Sequence, residues 1–210
     1  MEKAALINEL CEREWLMFDK VKNTDGRASC QQDPVFFRKM RACQFDNWNI
    51  PLLESYRCDL MDAELVGRNL LTEKYAWMMS WTHPEEFARI RDALPAISQE
   101  KRDIISTIVS IQTAWEDEVD KAYPYMRAGG RRLTQDIEQG RGASFQTYLA
   151  GELMTYSMKT LNLYLAWIHE LQRCGQNMAL MTARSIAAAY GYRTLEDADR
   201  AMKIRLTAHS

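Results

Sequence analysis

Three glutamates stand where helical periodicity asks for apolar side chains. Glu14 falls on the row Ile7, Leu10, Glu14, Met17, Val21, and Glu73 shares a face with Val66, Leu70 and Trp77. Glu152 lies among Phe145, Tyr148, Tyr156 and Lys159. Side chains three and four residues apart stack on one helical face, so on this reading all three carboxylates point inward. A carboxylate in a low-dielectric interior has to be paired, metal-bound or protonated. Paired, it is structural, with Arg27, Arg68, Lys74 or Lys159 as the neutralising partner. With a pKa raised by burial, it can act as general acid or base. The sharper expectation is a polar pocket walled by Glu14, Arg27, Arg68, Glu73, Tyr75, Tyr148, Glu152, Tyr156 and Lys159. Arg27 and Arg68 would hold an anionic group there.

Cys30 is the candidate nucleophile. It sits just upstream of Asp33-Pro34, a helix start whose exposed N–H groups favour an anion, and Arg27 is three residues away. Both effects lower a thiol pKa. The competing reading is a packing or capping cysteine, because no histidine lies nearby as a base and unpaired cysteines are commonly buried. Cys30, Glu73 and Glu152 are therefore the expected catalytic residues. Inward glutamates also build di-metal centres, but those take Glu-x-x-His pairs from two helices. His83, His169 and His209 each lack a glutamate three residues earlier, and neither a metal nor a cofactor is expected.

The elements that position these side chains all read as helices. Residues 3–22 form an amphipathic helix broken by Asp25-Gly26, and Asp33-Pro34 starts the next. Asn49-Ile50-Pro51 is a second break. Residues 51–82 form one helix or two, with Gly67 the joint, and His83-Pro84 opens a short helix that Pro95 ends. Ser98 opens a long helix that stops before Pro124. A single long helix spans 144–173 and Gly175 caps it. Helices at about 177–190 and 194–206 follow, with Thr194 and Asp197 forming a capping box. The class is all-α, a single irregular bundle of about seven to eight helices over residues 1–210. Residues 127–143, with Gly129, Gly130, Gly140, Gly142, Arg127, Arg131, Arg132 and Arg141, read as a mobile basic connection.

At 210 residues, 47% of them hydrophobic and 27% charged, the chain has the size and composition of one soluble globular core. A net charge of -2 gives no electrostatic case for nucleic acid. No apolar run approaches the ~20 residues of a membrane span. Nor is there the basic stretch and apolar run of a secretory signal. Five cysteines, odd in number and without a CxxC pair, favour a reducing cytoplasm.

Four segments carry a resemblance: Glu14-Trp15-Leu16-Met17-Phe18, Gly26-Arg27-Ala28-Ser29-Cys30-Gln31, the run from Gly67 to Ala76, and the run from Tyr148 to Leu153. Together they resemble an uncharacterised bacterial family, domain of unknown function 4125. The resemblance brings no catalytic assignment. It implies an association with nucleotidyltransferase-like proteins, and with it a helical partner role.

Two readings stay open. One is a cytoplasmic helical protein with a buried polar pocket for a small anionic molecule, an enzyme if its glutamates do acid/base chemistry. The other is a non-catalytic interaction module, an accessory partner of a nucleotidyltransferase-like protein.

Overall fold

Eleven α-helices, and no strand, occur among the described residues of the computed structural model. The described residues are 2–22, 27, 29–128, 133, 134 and 142–208, with the side chains of Ser29, Cys30 and Arg127 outside that set. In chain order the helices are α1 (Lys3–Phe18), α2 (Pro34–Phe45), α3 (Ile50–Leu65), α4 (Leu70–Thr82), α5 (Pro84–Ile90) and α6 (Gln99–Ala122). After them come α7 (Pro124–Arg127), α8 (Phe145–Leu153), α9 (Met158–Arg173), α10 (Met178–Ala189) and α11 (Leu195–Thr207). Most of the basic segment at 127–143, including Arg131, Arg132 and Arg141, lies outside the described residues.

The helix starts follow from short polar side chains. Asp33, Asn49, Asn69, Ser98, Ser157, Asn177 and Thr194 each accept a first-turn backbone N–H that has no partner inside its helix. The box expected at Thr194 and Asp197 is only half made: Thr194 accepts from the Asp197 N–H, at 3.1 Å. A complete box opens α8 instead, where Ser144 and Thr147 bond each other's backbone N–H.

The helix count exceeds the expected seven to eight because local chemistry splits longer units. Residues 51–82 become α3 and α4 at Gly67, whose φ of +72° lies in the left-handed region that favours glycine. The expected helix 144–173 is two. The Thr155 hydroxyl donates to the Glu152 carbonyl at 2.7 Å, and the Ser157 hydroxyl accepts from the Thr160 N–H at 3.2 Å, so one hydroxyl ends α8 and another starts α9. Lys101 donates to the Met154 carbonyl at the same break, at 2.8 Å. The first helix stops at Phe18, four residues short of expectation. Gln31 donates to the Phe18 and Val21 carbonyls and Asn69 to Met17, satisfying C-terminal carbonyls that a longer helix would have used itself.

The core runs through the middle of the bundle, with Leu6, Leu10, Phe45, Leu52, Leu60, Ile108, Leu153, Leu161 and Ile168 fully buried. An aromatic cluster of Phe45, Trp48, Tyr56, Tyr156 and Tyr164 joins α2, α3 and α9, with ring centroids from 4.7 to 6.3 Å apart. Helices α4 and α8 meet at Gly151, where a Cβ would lie 2.7 Å from Met78 Cγ and 2.8 Å from the Lys74 carbonyl oxygen. A separate small cluster packs α11 on α7 and α10 through Ala187, Leu195 and Ala198. Asp199 ties it down by accepting from the Tyr125 and Met126 N–H groups.

Candidate functional site

Helices α1, α2, α3, α4 and α8 bring their polar side chains to one buried place. Glu14 from α1 is 1% exposed, and Lys74 from α4 is 3% exposed. Neither can stay charged there without a partner. The hub is Arg41 from α2. Its Nε donates to Glu14 Oε2 at 2.5 Å, and its Nη2 donates to Glu14 Oε1 at 2.5 Å and to Glu152 Oε1 at 3.0 Å. Its Nη1 donates to Gln44 Oε1 at 2.5 Å. Lys74 Nζ donates to the second Glu152 oxygen at 2.5 Å and lies 3.6 Å from the centre of the Tyr148 ring, a cation–π contact. Two phenols complete the set: Tyr56 donates to Glu14 at 2.6 Å and Tyr156 to Glu152 at 2.8 Å.

Two carboxylates facing one guanidinium and one ammonium make a neutral cluster, and this decides the protonation states. Burial opposes ionisation of Glu152. Arg41 and Lys74, helped by hydrogen bonds from Lys74 and Tyr156, outweigh it and hold the carboxyl well below the usual carboxylate range. Burial, with Glu14 close to Tyr56 and Glu152 close to Tyr156, pushes both phenols well above their ordinary value. Burial alone would lower Arg41, but Glu14 and Glu152 raise it above the ordinary guanidinium value. The Cys11 thiol near Glu14 is pushed up to about 12 by burial and is inert. At neutral pH Glu152 is an ion that accepts a proton poorly, the opposite of a general acid tuned by burial.

A cavity of about 100 Å³ adjoins this cluster, lined by Arg41, Gln44, Gln112, Glu116, Glu152, Tyr164 and apolar neighbours from α8 and α10. Gln112 donates to the Tyr164 hydroxyl at 2.6 Å.

Of the side chains named from the sequence, Glu14, Lys74, Tyr148, Glu152 and Tyr156 meet here, and the others are placed elsewhere. Glu73 is buried as expected but pairs with Arg68, Nε and Nη2 donating at 2.7 and 2.6 Å. Beside that pair stands Lys101, whose amine burial pushes down to about 8. Tyr75 packs its ring between Phe18 and Tyr148, each centroid 6.3 Å away. Arg27 is exposed and paired with Asp19, at 2.5 Å, while donating to the Gln31 carbonyl at 2.9 Å. Lys159 is exposed because the break at Ser157 starts a new helix with a different phase. The Cys30 backbone lies in the 3-10 turn Ser29–Gln32, and its side chain lies outside the described residues.

Sequence reasoning missed Arg41, although a signal was present. Arg41 lies four residues after Phe37 and four before Phe45, an apolar row interrupted by one cation. Lys74, between Leu70 and Met78, repeats the pattern, and the sequence points to it as a neutralising partner. No group of three or more His, Cys, Asp or Glu side chains able to hold a metal occurs among the described residues. None of the described helices is long and apolar enough to cross a membrane.

The model of the family described as "Protein of unknown function (DUF4125)" matches residues 4–200. The chain belongs to this family. The match takes in every helix contributing to the cluster, from Glu14 to Glu152, and the start of α11. No curated protein and no solved structure matches the chain.

Proposed function

We propose that the chain is a binding protein whose cavity beside Arg41 takes a small carboxylate that also carries an amine. The observation that carries the reading is a buried guanidinium with an N–H to spare on the wall of that cavity. Arg41 has five N–H donors, and four hydrogen bonds to Glu14, Glu152 and Gln44 are accounted for among the described residues. The remaining N–H on Nη1 can donate to an incoming carboxylate. A zwitterion suits this wall better than a bare anion, because the carboxylates of Glu116 and Glu152 stand on it beside the guanidinium and offer acceptor oxygens to an ammonium. An apolar cavity of about 150 Å³ takes a benzene, so about 100 Å³ takes an occupant of about four to five heavy atoms. Binding is favoured over glutamate acid/base chemistry, since Glu152 is held ionised.

Thermal melting with glycine, alanine and serine tests this, with acetate and methylamine as half-molecules. At least one amino acid is expected to raise the melting temperature progressively with concentration, as mass action requires, and each half-molecule to raise it less. Ala179→Leu fills the cavity with apolar volume at a residue 8% exposed. It is expected to abolish the response while melting unaided no lower than the parent chain. No response to any amino acid, or a response surviving in A179L, overturns the reading.

One observation favours the accessory-partner reading. At the end of α3, Leu65 is 85% exposed and Val66 66%, with Met61 and Leu16 exposed nearby in the sequence and on α1. Adjacent aliphatic side chains left in water suit a protein contact. Co-expression with a nucleotidyltransferase-like protein from the same genome should then give a stoichiometric complex on gel filtration. Leu65→Asp with Val66→Asp should remove the complex without shifting the melting temperature. Separate elution of the unmodified proteins would end this reading.

A further inference from the structure

A second, larger cavity lies along the C-terminal half of α4. Helix α5, the 3-10 turn Arg91–Ala93 and the extended residues that follow fold back over the C-terminal half of α4 and reach the start of α6. They leave a cleft of about 470 Å³ walled by Trp77, Trp81, Phe87, Leu94, Ile97 and, at its edge, Arg102. Its size is that of a small-molecule site, and its aromatic and apolar lining is interrupted by the polar side chains of Ser80, Arg91, Asp92 and Arg102. Trp77 and Phe87 make one rigid wall, their ring centroids 5.6 Å apart at 47°. Trp81 keeps 39% of its surface exposed, a large apolar area for a residue on the wall of a cleft.

Two polar groups of this wall have no partner among the described residues. Arg102 makes no side-chain hydrogen bond or ion pair there, whereas Arg91 is already bonded to Asp92 at 3.1 Å. The Trp77 indole N–H is buried with no acceptor. Arg102 also lines the neighbouring groove of about 720 Å³ between α6 and α8, so its guanidinium stands where two concave surfaces meet. Aromatic side chains line the cleft, and Arg102, the charge on its wall without a partner among the described residues, is positive.

We propose that this cleft is a binding site for an aromatic carboxylate, with the ring against Trp81 and Phe87 and the carboxylate on Arg102. The site is independent of the cavity beside Arg41. Stacking on the exposed tryptophan supplies the affinity, and a charge-assisted hydrogen bond to the guanidinium supplies the selection for an anion. A neutral molecule of the same shape keeps the first and loses the second.

Titration with naphthalene-2-carboxylate and its neutral isostere naphthalene-2-carboxamide separates these two contributions. The readouts are tryptophan fluorescence and the indole N–H resonances of the 15N-labelled full chain. The carboxylate is expected to bind about tenfold more tightly than the carboxamide and to move the Trp77 and Trp81 resonances selectively. Arg102→Ala, at an exposed position, should leave melting unchanged and bring the two affinities together. Equal affinities in the unmodified chain, binding that moves other tryptophans instead, no binding at all, or discrimination that persists in R102A would each overturn the proposal. The resonance shifts are read in the unmodified chain, so the result does not depend on any variant folding.

Discussion

Replacement of Arg41 by methionine is expected to cost about 3–5 kcal/mol of stability, measured by urea unfolding at pH 7. The variant keeps the packing volume and removes the one cation shared by Glu14 and Glu152. Glu14 is then left 1% exposed with, among the described residues, only the Tyr56 hydroxyl to answer its charge. Against a domain stability of about 5–15 kcal/mol, such a loss is large. Adding Glu14→Gln to the same chain should recover more than half of it, because the unpaired charge disappears with it. An additive double variant would show that the two side chains are not coupled.

The same pair of chains should differ in acid. Glu152 titrates in the folded chain well below the 4.5 of an ordinary glutamate. A carboxyl depressed in this way contributes stability that is fully present above 4.5 and is lost as the pH falls below it toward the folded value. Arg41 is the largest of the influences lowering that pKa. Arg41→Met should therefore unfold from a lower starting stability and with a gentler slope below pH 4.5. Parallel acid limbs in the two chains would contradict this account of the cluster.

Gly151→Ala is the second large effect. The added methyl would stand 2.7 Å from Met78 Cγ, which can turn aside, and 2.8 Å from the Lys74 carbonyl, which is backbone and cannot. Helix α4 has to move away from α8, at an expected cost of about 1–3 kcal/mol from overpacking, even though alanine is the better helix former. The displacement acts on Lys74 and on Glu152, the residue next to Gly151, so the 2.5 Å contact between their side chains should lengthen. Chemical-shift changes confined to α4 and α8 are expected, with a lower melting temperature. A melting temperature equal to the parent's would mean that the helices are not in contact here.

The all-helical class was legible because its signals are local. Asn49, Asn69, Ser98 and Asn177 mark helix starts through hydrogen bonds spanning three residues, and Gly67, Gly175 and Gly191 mark helix ends by adopting positive φ. The break between α8 and α9 was not legible. It depends on Thr155 and Ser157 preferring backbone bonds of their own, which in a sequence look like ordinary helix residues. That break also carried Lys159 off the expected face.

Burial of Glu14, Glu73 and Glu152 was determined by the sequence itself, because a charge placed on an apolar helical row goes wherever that row goes. Arg68 and Lys74 were among the partners that the sequence offered, but which carboxylate each one meets, and the whole role of Arg41, was decided by the tertiary structure. Glu73 found Arg68 five residues away, whereas Glu14 met Arg41 27 residues along and Glu152 met it across 111. Periodicity reports which face of a helix is inside, and it carries no information about which other helix lies opposite. Only the packing of α1, α2, α4 and α8 around one point made a neutral cluster out of four buried charges.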